Sequence, residues 1–229
     1  MKFTWWKIVT ILLLLYTLIA GFLMDVPRLP ILYETIRNLY FHVPMWFGMI
    51  FILTASAVNA IKYLRSSHVH HDILSAESAQ VGVFYGILGL LSGMLWAQYT
   101  WGHYWHGDPK QNASAIALLI YLAYFVLRGS LKDELQKARI SAIYNIFAFA
   151  TLIPLLFILP RMTDSMHPGN GGNPGFNSYD LDSRMRLVFY PAVIGWTLLG
   201  WWIVTLRVRL QKLRNRIWEK QTSQELVKS

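Results

Sequence analysis

The sequence predicts an all-α, polytopic integral membrane protein with six transmembrane helices and both termini in the cytoplasm. Of the 229 residues, 55% are hydrophobic and only 14% are charged, a balance too apolar for a water-soluble domain of this length. The apolar residues gather into six runs near the length, about 20 residues, that a helix needs to cross ~30 Å of hydrocarbon. The basic residues are shared unevenly between the two sides of these runs, which sets the orientation.

The first run, 4–24, has Lys2 before it and Lys7 ahead of its apolar stretch and so has the opening of a signal peptide. The stretch after it, "GFLMDVPRLP", offers bulky Leu23 and Met24 where a cleavage site needs small residues, so the run is read as a helix. The second, 41–63, carries Pro44 near its start, as suits a first turn whose amides need no partner. The third, 79–98, contains "GILGLLSG", which lacks the Lys-Ser/Thr of a phosphate loop; its glycines are read as sites of close helix packing. The fourth, 113–128, is the shortest and is opened by "DPKQ", with Asp108 as N-cap, Pro109 at the first helical position and Gln111 at the third, a capping-box variant. The fifth spans 140–160 and the sixth 187–206. The expectation is one six-helix membrane domain over 1–229, ending in a basic cytoplasmic tail at 207–229.

Fifteen of the 21 Lys and Arg residues fall on the side that holds the N-terminus, the second and fourth loops and the tail. The other side has Arg28, Arg37, Lys110, Arg161, Arg184 and Arg186, balanced by six acids. The net charge of +9 is thus concentrated where anionic lipid headgroups attract it, and no nucleic-acid partner is needed to explain it. The chain has no cysteine, which excludes thiol–disulfide exchange and thiolate metal ligation by its own residues.

The outward side gathers His42, His103, His106 and His167, with Trp96, Tyr99, Trp101, Tyr104 and Trp105 interleaved in the third loop. His42 shares a helical face with Trp46, four residues on. It is either a neutral imidazole bonded to a carbonyl or an axial ligand to a metal cofactor. His167 sits in a 26-residue loop, 161–186, among Pro168, Gly169, Gly171, Gly172, Pro174 and Gly175. Such a run either lets backbone approach a large flat ligand or merely connects. The aromatic residues suit an interfacial belt. If helical, the segment also sets Trp101 and Trp105 on one face as a platform for a planar macrocycle, with histidines from two other loops ligating its metal from both sides.

The stretch "WAQYTWGHYWHGDPK" resembles the tryptophan-rich WWD motif of haem-handling proteins in cytochrome c biogenesis, and "YFHVP" and "DSMHPGN" fall where the haem exporter protein C family has its outward-facing histidines. The resemblance runs from about Thr4 to Leu206. It implies haem b held at the periplasmic face of a bacterial inner membrane, with His42 and His167 as axial ligands. Stacking and edge contacts are implied for Trp96, Trp101, Gly102, Trp105 and Asp108. It further implies delivery to a membrane-anchored haem chaperone, with an ABC-type ATPase and membrane subunits as partners, and no catalytic residue. Two positions depart from the motif: Gly107 replaces its last tryptophan, and Lys110 replaces the Arg common after the Asp. The alternatives are a subunit of a cytochrome c synthase, a branch that usually has further helices, and a b-type electron-transfer cytochrome, which normally pairs histidines within the bilayer.

Single cysteines introduced at Ser66, Leu135 and the C-terminus are expected to label from the cytoplasm, and those at Gln111 and Asn173 from outside. Labelling of the Gln111 and Asn173 sites from the cytoplasm alone would invert the topology.

Overall fold

The computed structural model describes residues 4–167, 176 and 181–228, the last four of these by their backbone. The glycine-rich run at 168–175, with Asn173, lies outside the described residues. The described chain is helical: α1 Trp5–Leu23, a 3-10 turn Tyr33–Asn38, α2 Leu39–Ser66, α3 Val69–Trp101, α4 Pro109–Ser130, α5 Glu134–Ile153 and α6 Ser183–Lys228. Six segments are long and apolar enough to cross a membrane. The bundle is inside-out by the standard of a soluble protein, since Leu12, Phe51, Leu91, Leu119, Val126 and Phe147 are all more than half exposed around its waist.

The helices outrun the apolar runs that announce them. α3 begins at Val69, ten residues before the run at 79, because only Ser67, in a left-handed conformation at φ 54°, and His68 separate it from α2. The "RSSHVHHD" stretch is therefore mostly helix. Its polar residues find partners on neighbouring helices: the His71 Nδ1 lies 3.1 Å from Asn59 Oδ1, and Asp72 accepts both arms of the Arg128 guanidinium at 2.8 and 2.7 Å. An apolar run marks lipid contact, whereas a helix continues as long as its polar side chains are satisfied. α6 likewise continues through the basic tail to Lys228, roughly 69 Å of helix at 1.5 Å per residue.

α5 departs the other way. Its regular helix stops at Ile153, and Pro154, which has no N–H to give, opens a π turn to Ile158 and then a 3-10 turn, Leu159–Arg161. Pro44 stands six residues into α2, not in its first turn, because the Tyr33–Asn38 turn runs straight into the helix.

α2 is the middle of the bundle, touching α3, α5 and α6, while α1 leans on α6. Its pairing with α3 is antiparallel and unusually close. Along α3, Gly82, Gly86, Gly89 and Gly93 face Leu53, Met49, Trp46 and His42 of α2 in reverse order. A Cβ at those glycines would lie 2.6, 2.7, 2.9 and 2.6 Å from the facing side chains. The glycines of the third run thus pack against a helix, as the sequence suggests.

At the end of α2 opposite His42, the bundle is locked by polar contacts. Asn145 of α5, fully buried, donates to Ser56 Oγ at 2.7 Å and to Ser75 Oγ at 2.8 Å. Arg207 of α6 donates to Glu77 of α3 at 2.6 Å. Removing both Asn145 bonds with Asn145→Ala is expected to cost about 1–2 kcal/mol, the range for hydrogen bonds between membrane helices, seen as a lower melting temperature in detergent.

Candidate functional site

A cavity of about 570 Å³ opens at the end of the bundle where α2 begins, within the size range of small-molecule and cofactor sites. His42, Trp46, Trp96, Trp101 and His167 all line it, with Lys110 and Arg161 adding positive charge. Helices α2, α3 and α4 form its walls, and the stretch from Leu29 to Ile36 and the segment after α5 add to them.

His42 is the fourth residue of α2. Its Nδ1 lies 2.9 Å from the Gly89 carbonyl and 3.2 Å from Ser92 Oγ. A carbonyl only accepts, so Nδ1 carries the proton and Nε2 keeps its lone pair. The bond to a carbonyl is thus what the structure shows of this histidine, and it leaves the other nitrogen able to ligate, the usual arrangement around metal-bound imidazoles. The ring stands edge-on to Trp96 and Trp46, with centroids 5.8 and 6.3 Å away. Trp96 is itself fixed by donating Nε1–H to Thr35 Oγ1 at 3.2 Å.

His167 also lines the cavity, outside any helix. Its ring meets Trp101 at 5.1 Å and 72°, and its Nδ1 is 3.0 Å from Asp108 Oδ1. Asp108 is the N-cap of α4 as expected, accepting from the Lys110 amide at 2.8 Å. Gln111 does not close the capping box; its Oε1 accepts from the His106 amide at 3.0 Å instead, tying the preceding loop to α4. Burial acts to raise the Asp108 carboxyl. The hydrogen bond and charge of His167, with the amides of Met166 and Lys110, outweigh it and hold the group below the usual carboxylate range.

The aromatic segment is not one continuous face. α3 ends at Trp101, and Gly102, at φ 88°, closes it by donating to the Gln98 carbonyl at 3.0 Å. Trp105 therefore lies beyond the helix, 39% exposed and away from the cavity lining, so the expected Trp101–Trp105 face does not form; the tryptophans that line the cavity are Trp96 and Trp101 of α3 and Trp46 of α2. Gly102 acts as the helix stop and Asp108 stands behind His167; neither lines the cavity. Gly107 adopts φ 70°, a left-handed conformation that a tryptophan there would take only under strain. His103 and His106 pair with each other at 5.4 Å and stay outside the cavity.

The residues present fit a haem. Among the described residues no group of three or more His, Cys, Asp and Glu is placed to hold a bare metal ion. Two imidazoles suffice only where a macrocycle supplies the other iron ligands. Aromatic walls match such a ring, and Lys110 and Arg161 match carboxylates at its edge.

Fold and site together define a polytopic helical membrane protein with a tryptophan-walled, two-histidine cavity at one end. The chain belongs to the haem exporter protein C family, whose model, described as Heme exporter protein C, matches residues 1–228. It is 26% identical over 191 residues to Heme exporter protein C of Bradyrhizobium diazoefficiens, covering 83% of this chain and 72% of that one. It is 23% identical to the protein of the same name from Paracoccus denitrificans, covering 80% of this chain and 73% of that one. A shorter match, 40% identical over 76 residues, covers 33% of this chain and 24% of the cytochrome c biogenesis protein CcsA of Prochlorococcus marinus.

Gly93→Ala would place a methyl group 2.6 Å from His42 Cε1 and is expected to destabilise the fold by about 1–3 kcal/mol. The cost should fall sharply in a His42→Ala background, so a double-mutant cycle of melting temperatures checks the seat of the ring.

Proposed function

We propose that this protein holds haem b at the outer, periplasmic face of a bacterial inner membrane and hands it to a membrane-anchored haem chaperone during cytochrome c biogenesis. The observation that carries the reading is that His42 and His167 line one cavity while each commits Nδ1 to an acceptor. Haem supplies an iron with two axial positions that neutral imidazoles fill. His42 provides a ligand fixed in a helix wall, and His167 one carried on the segment after α5. Trp96 and Trp101 shield the cavity from lipid and water, and Lys110 and Arg161 offer charge to the carboxylates of the cargo.

The role is delivery rather than catalysis, a reading supported by the name Heme exporter protein C borne by relatives matched over 72% and 73% of their length. An ABC-type ATPase and membrane subunits are the partners this reading calls for. The match to the cytochrome c biogenesis protein CcsA favours a second reading, a subunit of a cytochrome c synthase. The two part on one result: a synthase subunit supports covalent attachment of haem to a CxxCH peptide, and a delivery protein loads the chaperone without it.

The detergent-purified chain is expected to carry haem with the absorption spectrum of bis-histidine ligation. His42→Ala and His167→Ala should each lower haem content and shift that spectrum. Unchanged content and spectrum in both variants would overturn the assignment.

A further inference from the structure

We propose, building on the bis-histidine reading above, that Asp108 is the positioning residue for His167 and makes the two sides of the site chemically unlike. A helix cap needs one acceptor for one amide, and the Lys110 N–H alone would satisfy it. Asp108 does far more. Its side chain, 1% exposed, also accepts from Ser165 Oγ at 3.1 and 3.0 Å, from the Met166 amide at 2.8 Å and from His167 Nδ1 at 3.0 Å. Three consecutive residues, 57 to 59 positions away in the chain, are gathered onto one carboxylate. The Ser165 hydroxyl further accepts from the His167 amide at 3.1 Å. The residue that starts α4 thereby fixes the only described stretch that carries the second imidazole.

Chemistry follows from the kind of acceptor. An ionised carboxylate only accepts, so it demands a proton on His167 Nδ1 and leaves Nε2 with its lone pair. His42 reaches the same tautomer through a neutral carbonyl, that of Gly89. A charged acceptor forms a stronger bond than a neutral one and raises the basicity of the imidazole beyond it. His42 needs no such help, because its backbone is helical and its ring is boxed between Gly93, Trp46 and Trp96. His167 has no helix to hold it, and its orientation depends on Asp108.

The two roles of Asp108 separate by substitution. Asn and Ser both cap helices about as well as Asp. Asn presents an NH₂ where the carboxylate presents an acceptor, and so sets a donor against one of the donors from 165–167. Ser ends one bond nearer the backbone and falls short of His167. Full-length Asp108→Asn and Asp108→Ser, reconstituted with haemin in detergent, are expected to fold and melt cooperatively, below the wild-type temperature because donors in 165–167 lose an acceptor. Their ferric spectra should lose six-coordinate low-spin signal in favour of high-spin. Haem loss to an added apo-haemoprotein should be ~10- to 100-fold faster, the usual consequence of removing an outer-shell partner. Free imidazole should restore the low-spin spectrum, as it should in His167→Gly.

Wild-type spectra and haem loss in both variants would overturn the proposal. So would a spectral change that imidazole does not repair, since the cavity rather than the ligand would then have been lost. Failure of both variants to fold would confine the carboxylate to the start of α4 and overturn it as well. A wild-type chain that binds haemin without any bis-imidazole signal would remove the ligand reading itself, a result that needs no Asp108 variant to recognise.

Discussion

The close approach of α3 to α2 is the constraint on which the rest of this structure depends. Four glycines spaced three or four residues apart on α3 meet Leu53, Met49, Trp46 and His42 on α2, each with less room than a methyl group needs. In a bilayer, where lipid tails are as apolar as leucine, such backbone approach supplies the dispersion contact that hydrophobic burial cannot. One stripe serves two purposes along its length. At Gly82 and Gly86 it packs the core; at Gly89 and Gly93 it builds the seat of His42, supplying a carbonyl for its Nδ1 and a gap for its ring. The site is thus an extension of the packing that holds the bundle together.

The two ends of the bundle divide the polar work. Away from the cavity, Asp72 with Arg128, Glu77 with Arg207 and Asn145 with Ser56 and Ser75 tie α3 to α4, α6, α2 and α5. Those contacts join four other helices to α3, so that end is clamped. At the cavity end the equivalent bonds reach turns and loops: Thr35 of the 3-10 turn to Trp96, Gln111 to His106, and Asp108 to Ser165, Met166 and His167. Rigidity at one end and hydrogen-bonded loops at the other suit the proposed role of holding a large flat ligand and releasing it.

The histidines show why neighbouring residues of one type fare differently. His42 and His167 face the cavity because each has an acceptor at Nδ1 and aromatic rings beside it. His103 and His106 lie beyond the Gly102 turn and pack on each other. His68, His70 and His71 cluster at the far end, where His71 pairs with Asn59. A histidine count alone would not have told these groups apart.

The sequence by itself determined the class, the six spans, the cap at Asp108 and the two candidate ligands. Each of these rests on local or periodic information: apolar run length, the Asp-Pro pair, a histidine beside a helix start, a motif of tryptophans. Helix ends were legible only where such a signal was read, as at Pro109, and not at Ile153, Val69 or beyond Leu206; in the last two places polar helix continues because distant side chains satisfy it. The tertiary structure alone decided that Trp105 leaves the platform, since a turn at Gly102 redirects the chain, and that Trp46 joins it from α2. It alone decided that Gly93 makes room for His42 and that Asp108 reaches His167 across 59 positions. The physical reason is the same throughout: spacing along the chain encodes which face a residue occupies, but which residues meet across two faces depends on how the helices come to rest against each other.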